Sequence, residues 1–272
     1  MREDASGSVG ETAVRAVGLG KRYRIGLGGR HGSIKDRMGR LLGSPDRVPH
    51  EASVMWALRD VSFEVPSGHV VGVLGRNGSG KTTLMRILAR VTTPTEGHAM
   101  VNGRVGALFQ VGTGFHPELT GRENIGLSGA ILGMNEAETE AAFERIVAFA
   151  EIGDFLDTPV KYYSSGMYTR LAFSVSAHLE AEVMLIDEAL SVGDAKFREK
   201  CAIHISEMVR SGRTVIYVSH SLPTVRELCD MAMVLDEGQL RYSGGTDDTI
   251  AFYEELTQRS GSAIGAKSAT SA

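Results

Sequence analysis

The chain of 272 residues is predicted to be an α/β protein whose main sheet is mostly parallel and covered on both faces. Three observations predict this class. Strand-like and helix-like segments alternate along most of the sequence. Two continuous apolar runs, 183–186 and 214–218, are typical of central parallel strands. A glycine-rich turn joins a third apolar run, 69–74, directly to a helical segment.

That glycine-rich turn, 75–82, fits the phosphate-binding pattern G-x-x-x-x-G-K-[ST]. Its glycines allow backbone N–H groups to converge on phosphate oxygens, and the following helix adds its positive end. Lys81 is expected to reach the β- and γ-phosphates and the Thr82 hydroxyl to ligate Mg²⁺. The alternative is a glycine-rich turn that binds nothing. The residues expected at the nucleotide are Gly75, Arg76, Asn77, Gly78, Ser79, Gly80, Lys81, Thr82 and Thr83.

The helix after the turn, 83–90, carries an apolar face that includes Leu84, Ile87, Leu88 and Val91. Before the turn, Val61, Phe63 and Val65 alternate in a strand, which indicates that one of its faces is buried. Later in the chain, the strand-like runs 231–235 and 239–242 flank the turn 236–238 and predict an antiparallel hairpin.

Two acids follow the apolar run 183–186 and complete the predicted nucleotide site. Ligands of open α/β sheets bind at the carboxyl ends of the strands, where Asp187 and Glu188 would lie. We expect Asp187 to hold Mg²⁺ through water and Glu188 to act as general base on the attacking water. The alternative is that the acids cap a helix.

Segment composition divides the chain into one main domain, 12–256, with two insertions. A helical subdomain is predicted from about residue 118 to residue 180, with helices over 119–132, 136–150 and 166–179. The other insertion, 24–55, contains the basic residues Lys35, Arg37 and Arg40. It either meets a membrane surface or substrate entrance or is an ordinary surface helix. Residues 1–11 and 257–272 are expected to be disordered.

Composition excludes several classes of protein. The net charge of −4 argues against a general nucleic-acid binder. No apolar run approaches the roughly 18 residues that cross a membrane, and the polar start of the chain is not typical of a secretory signal. Cys201 and Cys229 lack metal-ligand spacing and are expected to be buried or idle thiols in a reducing cytosol.

Five further segments resemble the ABC-type ATPases. The resemblance implies a P-loop NTPase core of that type, with an inserted helical subdomain and a small antiparallel β portion. The signature segment 163–167 lies about twenty residues before the strand 183–186 and is similar to the family's L-S-G-G-Q motif. The other matches are Gln110 at the Q-loop, Asp194 at the D-loop, His220 at the switch histidine and Tyr23 at the adenine-stacking aromatic position.

The resemblance implies a role for each of these residues. Ser164, Ser165 and Gly166 would face a γ-phosphate, and Asp194 would line the same site. Gln110 would complete the Mg²⁺ shell, and His220 would hydrogen-bond the γ-phosphate. The alternatives are a purely structural His220 and a core-packing Tyr23. Because any purine stacks on an aromatic ring, ATP is specified only weakly over GTP.

The family's geometry also implies a head-to-tail dimer. Its signature helix lies far from the phosphate loop of the same chain, and ATP binds between the loop of one copy and the signature segment of the other. One set of motifs therefore predicts that this chain pairs with a second copy of itself.

The segments 111–125 and 163–173, with Ala189 after Glu188, resemble the ATPase subunits of bacterial polysaccharide exporters. Ser165 and Met167 depart from the usual signature, and both occur in that branch. The resemblance implies a peripheral protein on the cytoplasmic face of the bacterial inner membrane, paired with two copies of a permease that handles the glycan. Residues 111–125 and the helices 119–150 would receive the permease. Because the chain ends soon after residue 256, direct glycan recognition is not expected.

Three alternatives compete with polysaccharide export. The ATPase of a drug or lipid exporter would share the nucleotide-binding motifs and differ only in segments such as 111–125 and 163–173. A non-transport ABC ATPase acting on DNA or ribosomes would carry a long coiled coil or two cassettes, which the sequence lacks. A P-loop GTPase would need an N-K-x-D motif, which is also absent from the sequence.

Overall fold

The computed structural model describes residues 11–25, 53–109, 112–187 and 193–268. Its strands are β1 (Thr12–Ile25), β2 (Ser53–Pro66), β3 (Val70–Leu74), β4 (Glu96–Val101), β5 (Val105–Ala107), β6 (Val183–Asp187), β7 (Thr214–Val218), β8 (Met231–Asp236) and β9 (Gln239–Gly245). Its α-helices are α1 (Lys81–Leu88), α2 (Gly121–Ile131), α3 (Glu136–Ala150), α4 (Ser165–Ala177), α5 (Ala195–Arg210), α6 (Leu222–Leu228) and α7 (Thr246–Ser268). Short 3₁₀ helices lie at Gly153–Phe155 and Val160–Tyr162.

The main sheet has the strand order β5-β6-β7-β3-β8-β9. All neighbours from β5 to β8 pair in parallel, and β9 closes the edge as the antiparallel partner of β8. The mainly parallel sheet and the closing hairpin are thus confirmed. Parallel pairing also brings the carboxyl ends of β3, β6 and β7 to one edge of the sheet.

Both faces of this sheet are buried. Alternate residues of one strand enter different cores, as Leu185 and Ile186 do on β6. Helices α4, α5 and α7 contribute to the core on the Ile186 face, whereas α1 and a second sheet cover the Leu185 face. The continuous apolar runs of β6 and β7 follow from this double burial.

The second sheet is antiparallel, with the order β2-β1-β4. The buried alternation of Val61, Phe63 and Val65 on β2 is confirmed. Strands β1 and β4 were not predicted from the sequence. Gly97 has a φ of 69° on β4 and lies against the backbone of Gly18 on β1, so these strands approach too closely for an ordinary side chain.

Three α-helices lie close to the positions predicted between residues 118 and 180. Helices α2 and α3 each begin with a capping box, formed by Thr120 with Glu123 and by Asn135 with Glu138. Helix α4 begins at Ser165 and is capped by Ser164, whose side chain accepts from the Met167 N–H. These caps explain why the observed starts lie within two residues of the predicted ones.

Two predicted features differ from the structure. Val91 was expected on the buried face of α1 but is 56% exposed, because α1 ends at Leu88 and Arg90 takes a left-handed φ of 59°. Disorder was predicted from residue 257, but α7 continues to Ser268. Its first turns are anchored by Ile250, which is 1% exposed, and helix elongation from a docked start is favourable.

Other sequence predictions fall outside the described residues. These are the disordered segment 1–10, most of the 24–55 insertion including its basic segment, Gln110, Glu188 and Ala189. Cys201 and Cys229 are both buried and unpaired, and burial raises the pKa of each thiol to about 12. Within the described ranges no helix combines the length and the hydropathy needed to span a bilayer.

Candidate nucleotide-binding site

The phosphate loop runs from the end of β3 into α1, and two of its glycines are required by the surrounding backbone. Gly75 has a φ of 154°, and a Cβ there would lie 2.3 Å from the Leu235 carbonyl oxygen. Gly80 has a φ of 108°, and its Cβ would lie 2.5 Å from the Ala57 carbonyl oxygen. Any larger residue would therefore move the loop or the strands β2 and β8 against which it rests.

Hydrogen bonds hold the loop against the same neighbours. The Gly238 N–H, in the β8–β9 turn, donates to the Ser79 carbonyl at 3.0 Å. The Arg59 N–H, on β2, donates to the Gly238 carbonyl at 2.8 Å. The loop, the small sheet and the hairpin turn thus form one rigid unit. A Cβ added at Gly78 would meet no described atom within 4 Å, so this glycine marks the open side of the loop.

Lys81 fills the inside of the loop. Its ammonium donates to the Gly75 carbonyl at 2.6 Å and to the Arg76 carbonyl at 2.9 Å, and the residue is 7% exposed. Burial lowers the Lys81 pKa, and the negative charge of Asp187 opposes that shift. The loop carbonyls thus hold the ammonium, and the acid at the end of β6 acts on it electrostatically.

Two features of the loop fit phosphate oxygens. Ser79 is 3% exposed, and its hydroxyl has no hydrogen-bond partner within the part of the chain that is described. Gly80, at the N-cap of α1, offers no capping side chain in the described structure. Buried hydroxyls and helix-start N–H groups require partners, and a phosphate supplies acceptors for both.

The predicted site residues on β6 and β7 lie at the same sheet edge as the loop. Val218 on β7 pairs with Asp187 on one side and with Val73 on the other. The carboxyl ends of β6, β7 and β3 therefore lie side by side. His220 follows β7 by two residues and is exposed. The structure therefore places the loop and Asp187 at one sheet edge, and His220 follows the strand that lies between β6 and β3. Gln110 and Glu188 remain predictions.

Tyr23 lies near the end of β1 and is half-buried. Its register partner on β2 is Met55, two residues from Ala57, which touches the loop. The Lys21 ammonium is 5.4 Å from the centre of the Tyr23 ring. The half-buried position excludes a fully packed core role, and adenine stacking remains a prediction.

The signature segment displays its polar groups on the surface. Ser164 and Ser165 are exposed, and Ser164 accepts from the Met167 N–H at 3.2 Å. The Thr169 hydroxyl donates to the carbonyls of Ser165 and Gly166. These hydrogen bonds stay within α4 and its cap. Because Ser164 and Ser165 are exposed, the positive start of this helix faces outward. Asp194 caps α5 by accepting from the Phe197 N–H at 2.9 Å, and its side chain is 66% exposed.

Sequence reasoning missed two sets of structuring residues. Asn124, which is 0% exposed, accepts from the His116 N–H at 2.6 Å and donates to the carbonyls of His116 and Leu119. It therefore fixes the loop before α2. Arg170 and Glu151 form an ion pair across α3 and α4. No local sequence pattern predicts either set, because the contacts are determined by how the segments pack in the fold.

Comparisons with known proteins agree with this arrangement. The family model described as ABC transporter matches residues 58–191. The O-antigen export system ATP-binding protein RfbB of Klebsiella pneumoniae is 42% identical over 199 residues, which cover 73% of this chain and 81% of that protein. The chain belongs to the ABC transporter family. The motifs described above therefore occur in the family in which they are expected.

Two more relatives of this ABC transporter chain are longer than it is. RfbB of Myxococcus xanthus is 45% identical over 209 residues, and the teichoic acids export ATP-binding protein TagH of Listeria monocytogenes is 42% identical over 203 residues. The matches cover 77% and 75% of this chain. The chain spans about half of the Myxococcus relative, 48%, and 60% of the Listeria relative.

Solved structures support the fold alone. An ATP-binding cassette solved as a dimer in a post-hydrolysis state with ADP and Pi has a TM-score of 0.64 at 20% identity, covering 86% of this chain and 98% of that one. A nucleotide-free ATP-binding cassette has a TM-score of 0.61 at 19% identity, covering 90% of this chain and 95% of that one. The predicted ABC-type α/β fold is confirmed.

The two loop glycines lead to a paired stability test. Gly75→Ala places a methyl group against the Leu235 carbonyl, which adds about 1–3 kcal/mol of overpacking to the backbone strain. Gly78→Ala causes only the backbone strain of an alanine at the left-handed φ of 81°, which lowers the free energy of unfolding by about 1–2 kcal/mol. Urea unfolding without nucleotide should show a lower midpoint for Gly75→Ala. Equal midpoints would contradict the described clamp.

Proposed function

We propose that this chain is the ATP-hydrolysing subunit that powers export of a lipid-linked polysaccharide across the cytoplasmic membrane. The observation that carries this proposal is the 42–45% identity with ATP-binding proteins of O-antigen and teichoic acid export. The phosphate loop, the acid at the end of β6 and the exposed signature segment support it physically. The alternative of a drug or lipid exporter ATPase shares the site but lacks this support.

The loop residues hold the substrate ATP in this proposal. Lys81 and the N–H groups of 75–83 bind the β- and γ-phosphates, and the Tyr23 ring stacks on adenine. The Thr82 hydroxyl, Gln110 and Asp187 are the oxygen donors that would hold Mg²⁺, a set that suits this hard cation. When bound there, the ion would neutralise charge that develops on the phosphates.

Hydrolysis requires a base and a stabilising donor beside the γ-phosphate. Glu188 accepts the proton of the attacking water, and His220 hydrogen-bonds the γ-phosphate. Glu188 directly follows Asp187, the last residue of β6. In sequence the proposed base therefore comes directly after the acid whose charge acts on Lys81.

The second wall of the site comes from another copy of the chain. Ser164, Ser165 and Gly166 begin α4 at the protein surface, and Asp194 begins α5 there. A helix start attracts anionic groups, so the γ-phosphate on the partner's loop suits this surface. ATP then closes a head-to-tail dimer and hydrolysis opens it.

A permease, also present twice, supplies the path through the membrane and handles the glycan, while no nucleic acid takes part. The ATPase is peripheral on the cytoplasmic face of the bacterial inner membrane. In this proposal its docking groove is formed by residues 111–125 and by helices α2 and α3. Phe115 packs edge-on against Tyr168 of α4 at 5.2 Å between ring centres, and Leu127 on α2 is 37% exposed. The groove therefore connects the permease to the helix that carries the signature segment.

Two substitutions separate binding from chemistry. Glu188→Gln removes the base but keeps the shape, so ATP turnover should fall by at least about a hundredfold while ATP binding persists. Lys81→Ala removes the buried cation and should weaken ATP binding itself. ATPase assays and nucleotide titrations of both variants provide the comparison. A Glu188→Gln chain that turns over at the parental rate would refute the proposed base.

The groove is tested by capture of the permease. Leu127→Arg places a charge in the proposed contact, so the amount of permease that co-purifies in detergent should fall by at least about tenfold. Ile203→Arg is the matched control, because Ile203 is 55% exposed on α5, outside the groove. Both variants should bind nucleotide normally. Equal capture by the two variants would locate the contact elsewhere.

A further inference from the structure

Arg170 contacts two other elements from its place on α4. Its guanidinium pairs with Glu151, which follows α3, and lies 3.9 Å from the Asp194 carboxylate. It also lies over the Phe197 ring of α5, 4.8 Å from the ring centre. The side chain is only 19% exposed. One residue within α4 thus joins the C-terminal end of α3 to the N-terminal end of α5.

Glu151 occupies a strained position to make this contact. Its backbone is left-handed, with φ 55° and ψ 44°, at the C-terminal end of α3 where glycine is the preferred residue. Its carboxylate also accepts from the Lys200 ammonium at 3.0 Å. Hydrogen bonds from Lys200 and Arg170 hold the pKa of Glu151 below its usual range. The position therefore uses a carboxylate despite the backbone preference for glycine.

Lys200, on α5, also contacts the end of α3. Its ammonium donates to the Phe149 carbonyl at 3.0 Å and lies 4.7 Å from the centre of the Phe149 ring. We call Glu151, Arg170, Lys200 and Asp194 the ionic junction. Its members lie at the end of α3, within α4, within α5 and at the cap of α5.

Packing alone does not account for the charge at Arg170. Its Nε is buried and has no hydrogen-bond partner among the described residues. An aliphatic side chain would cover Phe197 without this cost, since buried ion pairs are often no better than apolar packing. The guanidinium can orient two elements relative to each other, because it contacts carboxylates on both of them at once.

We propose that Arg170 is a positioning residue that fixes the signature segment relative to Asp194. Ser164 and Arg170 lie on the same helix, and Asp194 is the second carboxylate that Arg170 faces. The junction therefore sets the spacing between the two surface groups that would meet the partner's ATP. This inference rests on the proposed function, because it concerns ATP held between two copies.

The experiment uses Arg170→Met with Arg145→Met as its matched control. Arg145 lies on α3, is 58% exposed and faces only Glu180 at 3.9 Å among the described carboxylates. The methionine keeps apolar cover over Phe197 but removes the charge. We expect Arg170→Met to lower kcat for ATP by at least about tenfold while the KM and the thermal midpoint stay near parental values. Arg145→Met should match the parent in all three.

A second measurement separates positioning from folding. In a Glu188→Gln background, Arg170→Met should weaken ATP-dependent dimerisation, measured by sedimentation, while nucleotide affinity of the monomer is unchanged. The conservative variant Arg170→Lys keeps a cation beside Glu151 and Asp194, so it should dimerise better than Arg170→Met, whereas a folding role alone would not separate the two variants by dimerisation.

Three outcomes would overturn the inference. Arg170→Met could hydrolyse ATP at the parental rate, or it could lose nucleotide binding and thermal stability together, which would assign Arg170 to folding. A parental chain that neither hydrolyses ATP nor dimerises would instead refute the proposed function, and the inference would fail with it. The parental control distinguishes this last case from the first two.

Discussion

The site depends on the close approach of the phosphate loop to the backbone of two neighbouring strands. At Gly75 and Gly80 the loop touches the carbonyls of Leu235 and Ala57, at distances that leave no space for a side chain. Strand β8 belongs to the main sheet and β2 to the small antiparallel sheet. The loop is therefore held from both sides, and its N–H groups are oriented before any phosphate arrives, which lowers the cost of binding.

The parallel register extends this rigid loop into a larger site. Because Val218 pairs with both Asp187 and Val73, the ends of three strands lie level beside the loop. Lys81 lies within the electrostatic reach of Asp187. The signature segment begins on the surface of the helical layer, whose Leu171 and Phe173 pack in the core that it shares with the main sheet. One chain thus presents two surfaces that both suit phosphate, the loop before α1 and the start of α4.

Features with a local pattern were predictable from the sequence. The apolar run of β6 ends in an acid, and the start of α2 carries a Thr120–Glu123 capping box, so both elements could be located without a structure. Strands β1 and β4 were missed, since their pairing depends on glycine contacts between distant segments. The Arg170–Glu151 pair was missed for the same reason, because nothing near either residue indicates its partner. The roles of Glu188 and Gln110 remain sequence predictions.

The central claim is that each ATP lies between two copies of the chain, and mixed dimers test it most directly. Lys81→Ala disables the loop, and Gly166→Asp repels phosphate at the start of α4, where a new Cβ meets only Ser164 Oγ at 3.8 Å among the described atoms. Each variant alone should be inactive. In a mixed dimer one site receives both defects and the other receives neither, so the account predicts that mixing restores ATPase activity. Mixtures as inactive as the separate variants would contradict a site shared between two chains.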